Sequence, residues 1–170
     1  MNVIGFGVII IKVDMQKLTH LNEKSQPKIV DISEKSISKR IATAQSTIFL
    51  PDEVINELEK IDFQTKKGPV YQTAILAGIM AAKRTSELIP LCHPLFIENC
   101  NVSIEMNANK ELIIQCTVSV SAKTGVEMEA LTGATIAALT IYDMCKALSH
   151  EIVIRETKLL KKSGGKSDFK

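Results

Sequence analysis

The first half of the chain contains three stretches in which apolar residues recur at regular spacing. Lys39 to Leu50 alternates and is rich in β-branched residues, which predicts a strand. Pro51 to Ile61 has its apolar residues on one side, so a short amphipathic helix is expected there. Pro69 suits the first position of a second helix, which the pattern extends towards Leu88.

The second half of the chain predicts three more strands and the longest helix. Asn99 to Met106 and Glu111 to Ser121 alternate, and the residues between them suit a hairpin connection. Helical spacing then runs from Lys123 to His150, and a last strand is predicted from Glu151 to Leu160. This order predicts a ferredoxin-like β-α-β-β-α-β fold of the α+β class, with an antiparallel four-stranded sheet and helices packed on one face.

The same pattern divides the chain into one domain and two flanking segments. Residues 1–36 are predicted to be an N-terminal extension and a flexible, polar approach segment; the apolar run from Val3 to Ile11 is expected to be an extra strand or a loosely held tail. Residues 37–162 are predicted to form a single catalytic domain, and residues 163–170 a basic tail rich in glycine and serine.

Composition excludes several classes of function. The net charge of +2 and the 4% of aromatic residues are too low to indicate a nucleic-acid-binding protein. The longest apolar run is too short to span a membrane. The four cysteines form no Cys-x-x-Cys pair, which indicates reduced thiols and a cytoplasmic protein.

The long predicted helix carries carboxylates near both ends. Thr124 and Glu127 have the spacing of a capping box, whereas Glu129 has no such role. Glu129 and Asp143 differ by about 40° around the helix axis and by roughly 14 × 1.5 ≈ 21 Å along it. Small residues from Gly133 to Ala138 would let another backbone approach the helix closely.

Two basic pairs flank the second predicted helix, and each has two interpretations. Lys66-Lys67 precedes the helix N-terminus, where an anionic ligand or a solvated loop would explain the lysines about equally well. Lys83-Arg84 lies near the helix C-terminus, where cations are favourable without any ligand. In the tail, Lys162 and Lys166 suit a mobile segment that covers phosphate.

Two other pairs are candidates for acid–base chemistry. Cys92 and His93 are adjacent, but adjacent residues seldom bind one metal and no further ligands follow, so no metal site is predicted. Asp143 and Lys146 form an i, i+3 pair, which is either an ordinary surface ion pair or a pair that tunes each other's pKa for proton transfer. Apolar neighbours favour a partly buried position for this pair.

Seven segments together form a family pattern: Thr19-His20-Leu21-Asn22, Val30-Asp31-Ile32-Ser33, Ala77-Gly78-Ile79-Met80-Ala81-Ala82-Lys83-Arg84-Thr85, Leu88-Ile89-Pro90-Leu91-Cys92-His93-Pro94-Leu95, Lys123-Thr124-Gly125-Val126-Glu127-Met128-Glu129-Ala130-Leu131-Thr132, Ile141-Tyr142-Asp143-Met144-Cys145-Lys146-Ala147 and Lys162-Ser163-Gly164-Gly165-Lys166-Ser167. In this order they closely resemble the cyclic pyranopterin monophosphate synthases of molybdenum cofactor biosynthesis. The resemblance covers Met15 to Lys170, and residues 1–14 have no counterpart, so Met15 is a candidate natural start.

The resemblance implies a cytoplasmic lyase. Its substrate would be 3′,8-cyclo-dihydro-GTP, supplied by a radical-SAM GTP cyclase and converted to cyclic pyranopterin monophosphate with release of diphosphate. It also implies a ferredoxin-like homohexamer, built as a trimer of dimers with sites between subunits. Mg²⁺ would at most accompany the triphosphate, and no nucleic acid or membrane partner is implied.

The matching motifs also imply site residues. Asp143 would be catalytic, with Lys67 and Lys146 as its cationic partners. The substrate-binding residues would be Leu91, Cys92, His93, Glu127, Met128, Glu129, Lys83, Arg84, Lys162 and Lys166. A triphosphate requires several cations, and a carboxylate accepts hydrogen bonds from a guanine-type N–H edge, so these residue types suit the implied substrate. Four positions differ from the residues that are commoner in the family, namely Pro69, Gln72, Ile75 and Arg155. We expect these differences to affect details of substrate contact and not the reaction itself.

Two other classes of function stay open at this point. A non-catalytic nucleotide-binding or scaffold subunit would use the same basic loops but would not need Asp143. A ferredoxin-like regulatory module would bind a small ligand reversibly at a subunit interface, without release of diphosphate. Turnover of the cyclised GTP intermediate by the isolated protein would separate the lyase from both.

Overall fold

The computed structural model describes Lys24 and residues 26–170 of the chain. The predicted strand or tail from Val3 to Ile11, the Thr19–Asn22 motif and the first part of the polar segment lie outside the described residues. The chain divides into two units, Met1–Val30 and Asp31–Lys170. The second unit contains every element named below.

The elements of this unit follow the predicted order. They are β1 Ser38–Phe49, α1 Asp52–Lys60, β2 Gln64–Thr65, β3 Gly68–Pro69, α2 Val70–Lys83, α3 Thr85–Leu88, β4 Asn99–Met106, β5 Glu111–Ala122, α4 Glu127–Cys145 and β6 Val153–Ser163. The four long strands form an antiparallel sheet in the order β4-β5-β1-β6, which confirms the ferredoxin-like arrangement. The short strands β2 and β3 form a separate hairpin just before α2.

The start and end of the second helix differ from the prediction. Pro69 is extended (φ −69°, ψ 124°) and precedes the helix, which begins at Val70. The helix ends at Lys83 rather than near Leu88, and α3 follows as a separate turn. The buried Thr85 hydroxyl donates to the Ala82 carbonyl at 3.0 Å, so it takes an acceptor of the last helical turn.

The β4–β5 hairpin forms where it is predicted, and its turn chemistry explains why. The Asn107 side-chain oxygen accepts hydrogen bonds from the backbone N–H groups of Asn109 and Glu111, each at 2.9 Å. Lys110 adopts the left-handed region, with φ 59°. An Asx turn of this kind reverses the chain without help from distant residues, so local sequence is sufficient to predict it.

The core lies between the sheet and the two long helices, α2 and α4. The buried side of α4 includes Ala130, Ala134 and Ala138, which are fully buried. The helices cross where Gly78 meets Gly133, and a Cβ atom on Gly78 would lie only 2.8 Å from the Gly133 carbonyl oxygen. The small-residue surface of the long helix therefore does admit another backbone, which is that of α2 in the same chain. Within the described residues, no helix is both long and apolar enough to cross a membrane.

Candidate active site

The start of α4 places Glu127 in an ion pair rather than in a cap. The helix begins at Glu127, its N-cap residue is Val126, and no side chain caps it, so the predicted capping box is wrong. The Glu127 carboxylate instead lies 3.1 Å from the Lys162 ammonium group on β6. Tertiary pairing with a cation thus replaces a local backbone hydrogen bond, and it makes Glu127 a residue of the site.

A basic cavity of about 180 Å³ lies at this end of α4. Its charged lining is strongly cationic and comprises Lys35, Arg40, Lys123, Lys162 and Lys166, with Glu127 as the carboxylate. Backbone and small side chains from Thr124 to Val126 and at Ser163 and Gly165 complete the wall. This concentration of positive charge around one small concave volume suits a polyanion.

Sheet register explains how residues distant in sequence line one cavity. Ser38 of β1 pairs with Ala122 of β5, and Ile41 of β1 pairs with Ser163 of β6. The start of β1 therefore meets the ends of both neighbouring strands. Lys35, Arg40 and Lys123 reach the cavity in this way, and the local sequence pattern did not predict them as site residues. The predicted antiparallel sheet was a signal for them, because in such a sheet the start of one strand lies beside the end of its neighbour.

The basic tail is attached to the sheet in this structure. β6 extends through Ser163, so Lys162 belongs to a strand, and its backbone also pairs with Phe169. Gly164 has φ +83°, and a Cβ atom there would lie 1.9 Å from the Lys39 carbonyl oxygen. Glycine is therefore required at this turn. The turn directs Lys166 back towards the cavity.

Glu129, in the first turns of α4, is a buried carboxyl group with 4% of its surface exposed. Burial raises its pKa to about 7, and the nearby charge of Glu127 acts in the same direction. Burial, and then the charge of Glu129, raise the pKa of the Cys92 thiol. Cys92 belongs to the partly exposed Leu91–His93 segment, so this segment places its thiol within electrostatic range of Glu129. Met128 is 38% exposed at the start of the same helix.

The other end of α4 holds a carboxylate between two ammonium groups. Lys67 Nζ lies 2.7 Å from Asp143 Oδ2 and also donates to the Asp143 carbonyl at 2.9 Å. Lys146 Nζ lies 2.8 Å from Asp143 Oδ1. Hydrogen bonds from Lys146 and then from Lys67 lower the pKa of Asp143 to about 2, and the pKa of Lys146 is raised in return. In the single chain this cluster is more open than its apolar neighbours predict, because the Asp143 side chain is 52% exposed.

The structure brings the predicted residues together in separate groups. Glu127, Lys162 and Lys166 share the basic cavity, while Lys67 joins Asp143 and Lys146. Glu129 and Asp143 stand on one helix, fourteen positions apart, which corresponds to roughly 21 Å of helical rise. Arg84 pairs with Glu87 at 3.3 Å and, like Lys83, does not line the cavity. One chain therefore contains an end with the basic cavity and an end with the lysine–carboxylate cluster.

Comparison with known proteins gives one consistent result. Residues 29–165 match the model of the MoaC family. The chain is 51% identical over 153 residues to a cyclic pyranopterin monophosphate synthase of Xanthomonas axonopodis pv. citri, covering 90% of this chain and 93% of that protein. It is also 51% identical over 155 residues to the enzyme of that name from Staphylococcus carnosus, covering 90% and 95% of the two chains.

A longer relative contains a similar sequence as one part. The molybdenum cofactor biosynthesis bifunctional protein of Synechocystis is 51% identical over 154 residues, which are 88% of this chain and 44% of that protein. The family model covers most of the chain, and the relatives match it over nearly their whole length or as one part of a fusion. The chain belongs to the MoaC family.

Proposed function

We propose that the chain is a lyase that converts 3′,8-cyclo-dihydro-GTP to cyclic pyranopterin monophosphate and releases diphosphate. The observation that carries the proposal is the identity of about half of all aligned residues with proteins named for that product, over 90% of this chain. The lysine–carboxylate cluster at Asp143 and the basic cavity give that likeness a chemical basis.

The basic cavity is the proposed site of the triphosphate. Ammonium and guanidinium groups bind phosphate through charge-assisted hydrogen bonds, and five such groups line this cavity. Lys162 is tied to Glu127, so one of them is already held at the cavity wall before substrate arrives. The same cations would hold the diphosphate product until it leaves the cavity.

The purine-derived ring is proposed to lie against Glu129 and the Leu91–His93 segment. An ionised Glu129 accepts hydrogen bonds from a guanine-type N–H edge, and binding such donors would favour the charged form of this buried group. Beside Glu129, His93 would offer a hydrogen-bond donor or acceptor to the ring, and Cys92 would offer a thiol. Met128 would contribute an apolar contact at the helix start.

Asp143, Lys67 and Lys146 are proposed to carry the proton transfers. Ring rearrangement and closure of the cyclic phosphate both move protons, and the ionised Asp143 holds two ammonium groups at 2.7 and 2.8 Å. Asp143 would keep these lysines charged and oriented until the substrate's own charges displace one of them. Lys83 and Arg84 do not line the cavity, and we propose that they contact a part of the substrate that lies outside it.

A single chain does not bring Glu129 and Asp143 to one ligand, so the proposed site is shared between subunits. The ring and triphosphate are shorter than the roughly 21 Å that separates the two residues along α4. Exposed apolar side chains on the outer surfaces of α2 and α4, namely Leu76, Met80 and Leu139, offer a surface for association. A homohexamer arranged as a trimer of dimers would pair opposite ends of α4 from two chains.

The proposal also covers the metal, the cellular compartment and the source of the substrate. Mg²⁺ is bound readily by phosphate oxygens and would arrive on the triphosphate as part of the substrate. The free thiols fit a cytoplasmic enzyme. The bifunctional Synechocystis relative fits a pathway partner that supplies the cyclised substrate, for which a radical-SAM GTP cyclase is the proposed source.

The experiment that tests the proposal is direct turnover. The purified chain is incubated with 3′,8-cyclo-dihydro-GTP, and diphosphate and cyclic pyranopterin are measured together. Equal amounts of both products are expected. Tight binding without either product would instead favour the scaffold or regulatory alternatives, and Asp143→Asn serves as the inactive reference.

A further inference from the structure

Two cysteines on neighbouring strands face each other under α4. Cys100 Sγ lies 4.0 Å from Cys116 Sγ. The register pairs Cys100 with Val118 and Val102 with Cys116, so the two cysteines are diagonal neighbours on the core-facing side of the sheet. Both are free thiols, and neither lines the basic cavity or belongs to the Asp143 cluster.

The two thiols have different environments, which gives them different roles. Cys116 is fully buried, whereas Cys100 is partly exposed on the edge strand. The hydrogen bond between the two thiols, and then the charge of Lys83, lower the pKa of Cys100, although burial opposes this. The same hydrogen bond, with burial, raises the pKa of Cys116. Because Cys100 is partly exposed and Cys116 is fully buried, Cys100 is the thiol that a dissolved oxidant reaches first, and Cys116 is the neighbour that can react with it next.

The strand order allows the pair to close. Cys116 is held in β5 between β4 and β1, but Cys100 is the second residue of β4, at the edge of the sheet. A disulfide needs the sulfur atoms at about 2.05 Å and Cα atoms usually less than about 6.8 Å apart, whereas diagonal positions on neighbouring strands are about 7–8 Å apart. The end of the edge strand must therefore shift inward, and the resulting bond should be easily reduced.

We infer that Cys100 and Cys116 form an oxidation site, at which hydrogen peroxide converts the thiol pair to a disulfide linking β4 and β5. In the first step the Cys100 sulfur attacks one peroxide oxygen, the O–O bond breaks, and a sulfenic acid and one water form. In the second step the Cys116 sulfur attacks the Cys100 sulfur and displaces the hydroxyl group as a second water. Two thiols are oxidised by two electrons, and one peroxide is reduced to two waters.

The disulfide would also change the packing of α4. Cys116 Sγ packs against Gly133, where a Cβ atom would lie only 2.5 Å from it. Moving this sulfur towards β4 removes a packing contact of α4. Because α4 carries both Glu129 and Asp143, a shift of the helix would affect both residues. Oxidation is therefore expected to lower turnover several-fold, reversibly. This expectation rests on the proposed function, whereas formation of the disulfide does not.

Peptide mapping of the folded, full-length chain tests the site. The protein is treated with hydrogen peroxide, remaining thiols are alkylated, and the chain is digested with trypsin. Cleavage after Lys110 separates the two cysteines into peptides 85–110 and 111–123. The expected product is these two peptides joined, with two hydrogen atoms fewer than the reduced pair, and their separation by dithiothreitol.

Cys92 shares a peptide with Cys100, so the mapping is repeated on Cys92→Ser, in which the joined peptides must persist. Cys100→Ser must abolish them, and this position is exposed enough for the variant to fold. A link to Cys92 or Cys145, a link that forms only in urea, or sulfinic acid at Cys100 with Cys116 still reduced would overturn the inference. A disulfide that leaves turnover unchanged would overturn the coupling to α4, while absence of turnover before oxidation would count against the proposed function instead.

Discussion

The two ends of α4 hold the same chemical group in opposite electrostatic settings. At the N-terminal end, burial raises the pKa of Glu129 to about 7. At the C-terminal end, Lys146 and Lys67 lower the pKa of the half-exposed Asp143 to about 2. Near neutral pH the first carboxyl group can change its charge when a ligand arrives, and the second is a fixed anion. Environment rather than residue type thus gives the two carboxyl groups different charges near neutral pH, which suits the different roles proposed for them.

The largest expected effect concerns Asp143. Asp143→Asn keeps the shape of the side chain but removes the charge that holds Lys67 and Lys146, so turnover should fall by about 10²-fold or more. Substrate affinity and thermal unfolding should change little. Asp52→Asn is the matched control, because Asp52 is also an exposed partner of a lysine, at 2.8 Å, but lies far along the chain on α1. Turnover equal to that of the control would remove Asp143 from the mechanism.

The two ends should also differ in which kinetic constant their lysines affect. Lys67→Ala should lower kcat by about 10²-fold, because it removes an ammonium group bound to Asp143. Lys162→Ala should mainly raise KM, by about tenfold, because it removes one of five cations from the cavity. Steady-state kinetics on both variants distinguishes these outcomes. Equal effects on KM from both lysines would mean that Lys67 is only another phosphate contact.

Mixing subunits tests whether the two ends act together across chains. Asp143→Asn and Glu129→Gln are each expected to be inactive, but in a mixed dimer one site carries both changes and the other carries neither. Random exchange makes about half of the dimers mixed, so activity should recover to about a quarter of wild type. Exchange is verified by mass labels on the two variants. Well-exchanged mixtures that stay inactive would show that both residues act within one chain.

The buried Glu129 predicts a pH dependence of stability. Its pKa is raised from 4.5 to about 7, so between these values the folded chain binds more protons than the unfolded chain. The stability linked to this group is fully present below the unfolded value and is lost as pH rises through the folded one, by up to about 3 kcal/mol. Glu129→Gln should abolish this loss in urea unfolding near pH 5 and near pH 8.

The matched control for this titration is Glu53→Gln, which changes an exposed first-turn glutamate of α1. Its pH dependence should equal that of the wild-type chain. If the free energy of unfolding changed with pH equally in Glu129→Gln and in the wild-type chain, Glu129 would titrate as an ordinary carboxyl group. The contrast between the ends of α4 would then be one of exposure alone.

The smallest expected effect concerns the turn that carries Lys166. Gly164→Ala places a Cβ atom against the Lys39 carbonyl at a left-handed φ, which should cost about 1–3 kcal/mol and displace the tail from the cavity. KM should rise more than kcat falls. Gly165→Ala is the control for stability, since its Cβ atom would come closest to the end of the flexible Arg40 side chain, at 3.0 Å. Equal unfolding temperatures for the two variants would contradict a requirement for glycine at Gly164.

Sequence alone determined the order of elements and the residue types of the site. The alternation of β1, β4 and β5, the Asn107 turn and the spacing of Asp143 and Lys146 are local properties, and each formed as predicted. The family pattern likewise rests on short segments that the sequence displays directly. Local patterns of this kind persist because neighbours in sequence remain neighbours in the fold.

Tertiary structure alone decided which partners these residues met. Thr124 and Glu127 had the spacing of a cap, but a lysine 35 positions from Glu127 offered its carboxylate an ion pair, and the cap did not form. Lys35, Arg40 and Lys123 became cavity residues only because β1 pairs with β5 and β6 in one particular register. The raised pKa of Glu129 likewise depends on its burial by packing elements. These outcomes depend on contacts between segments that are distant in sequence. The free energies of such contacts cannot be predicted from local sequence patterns.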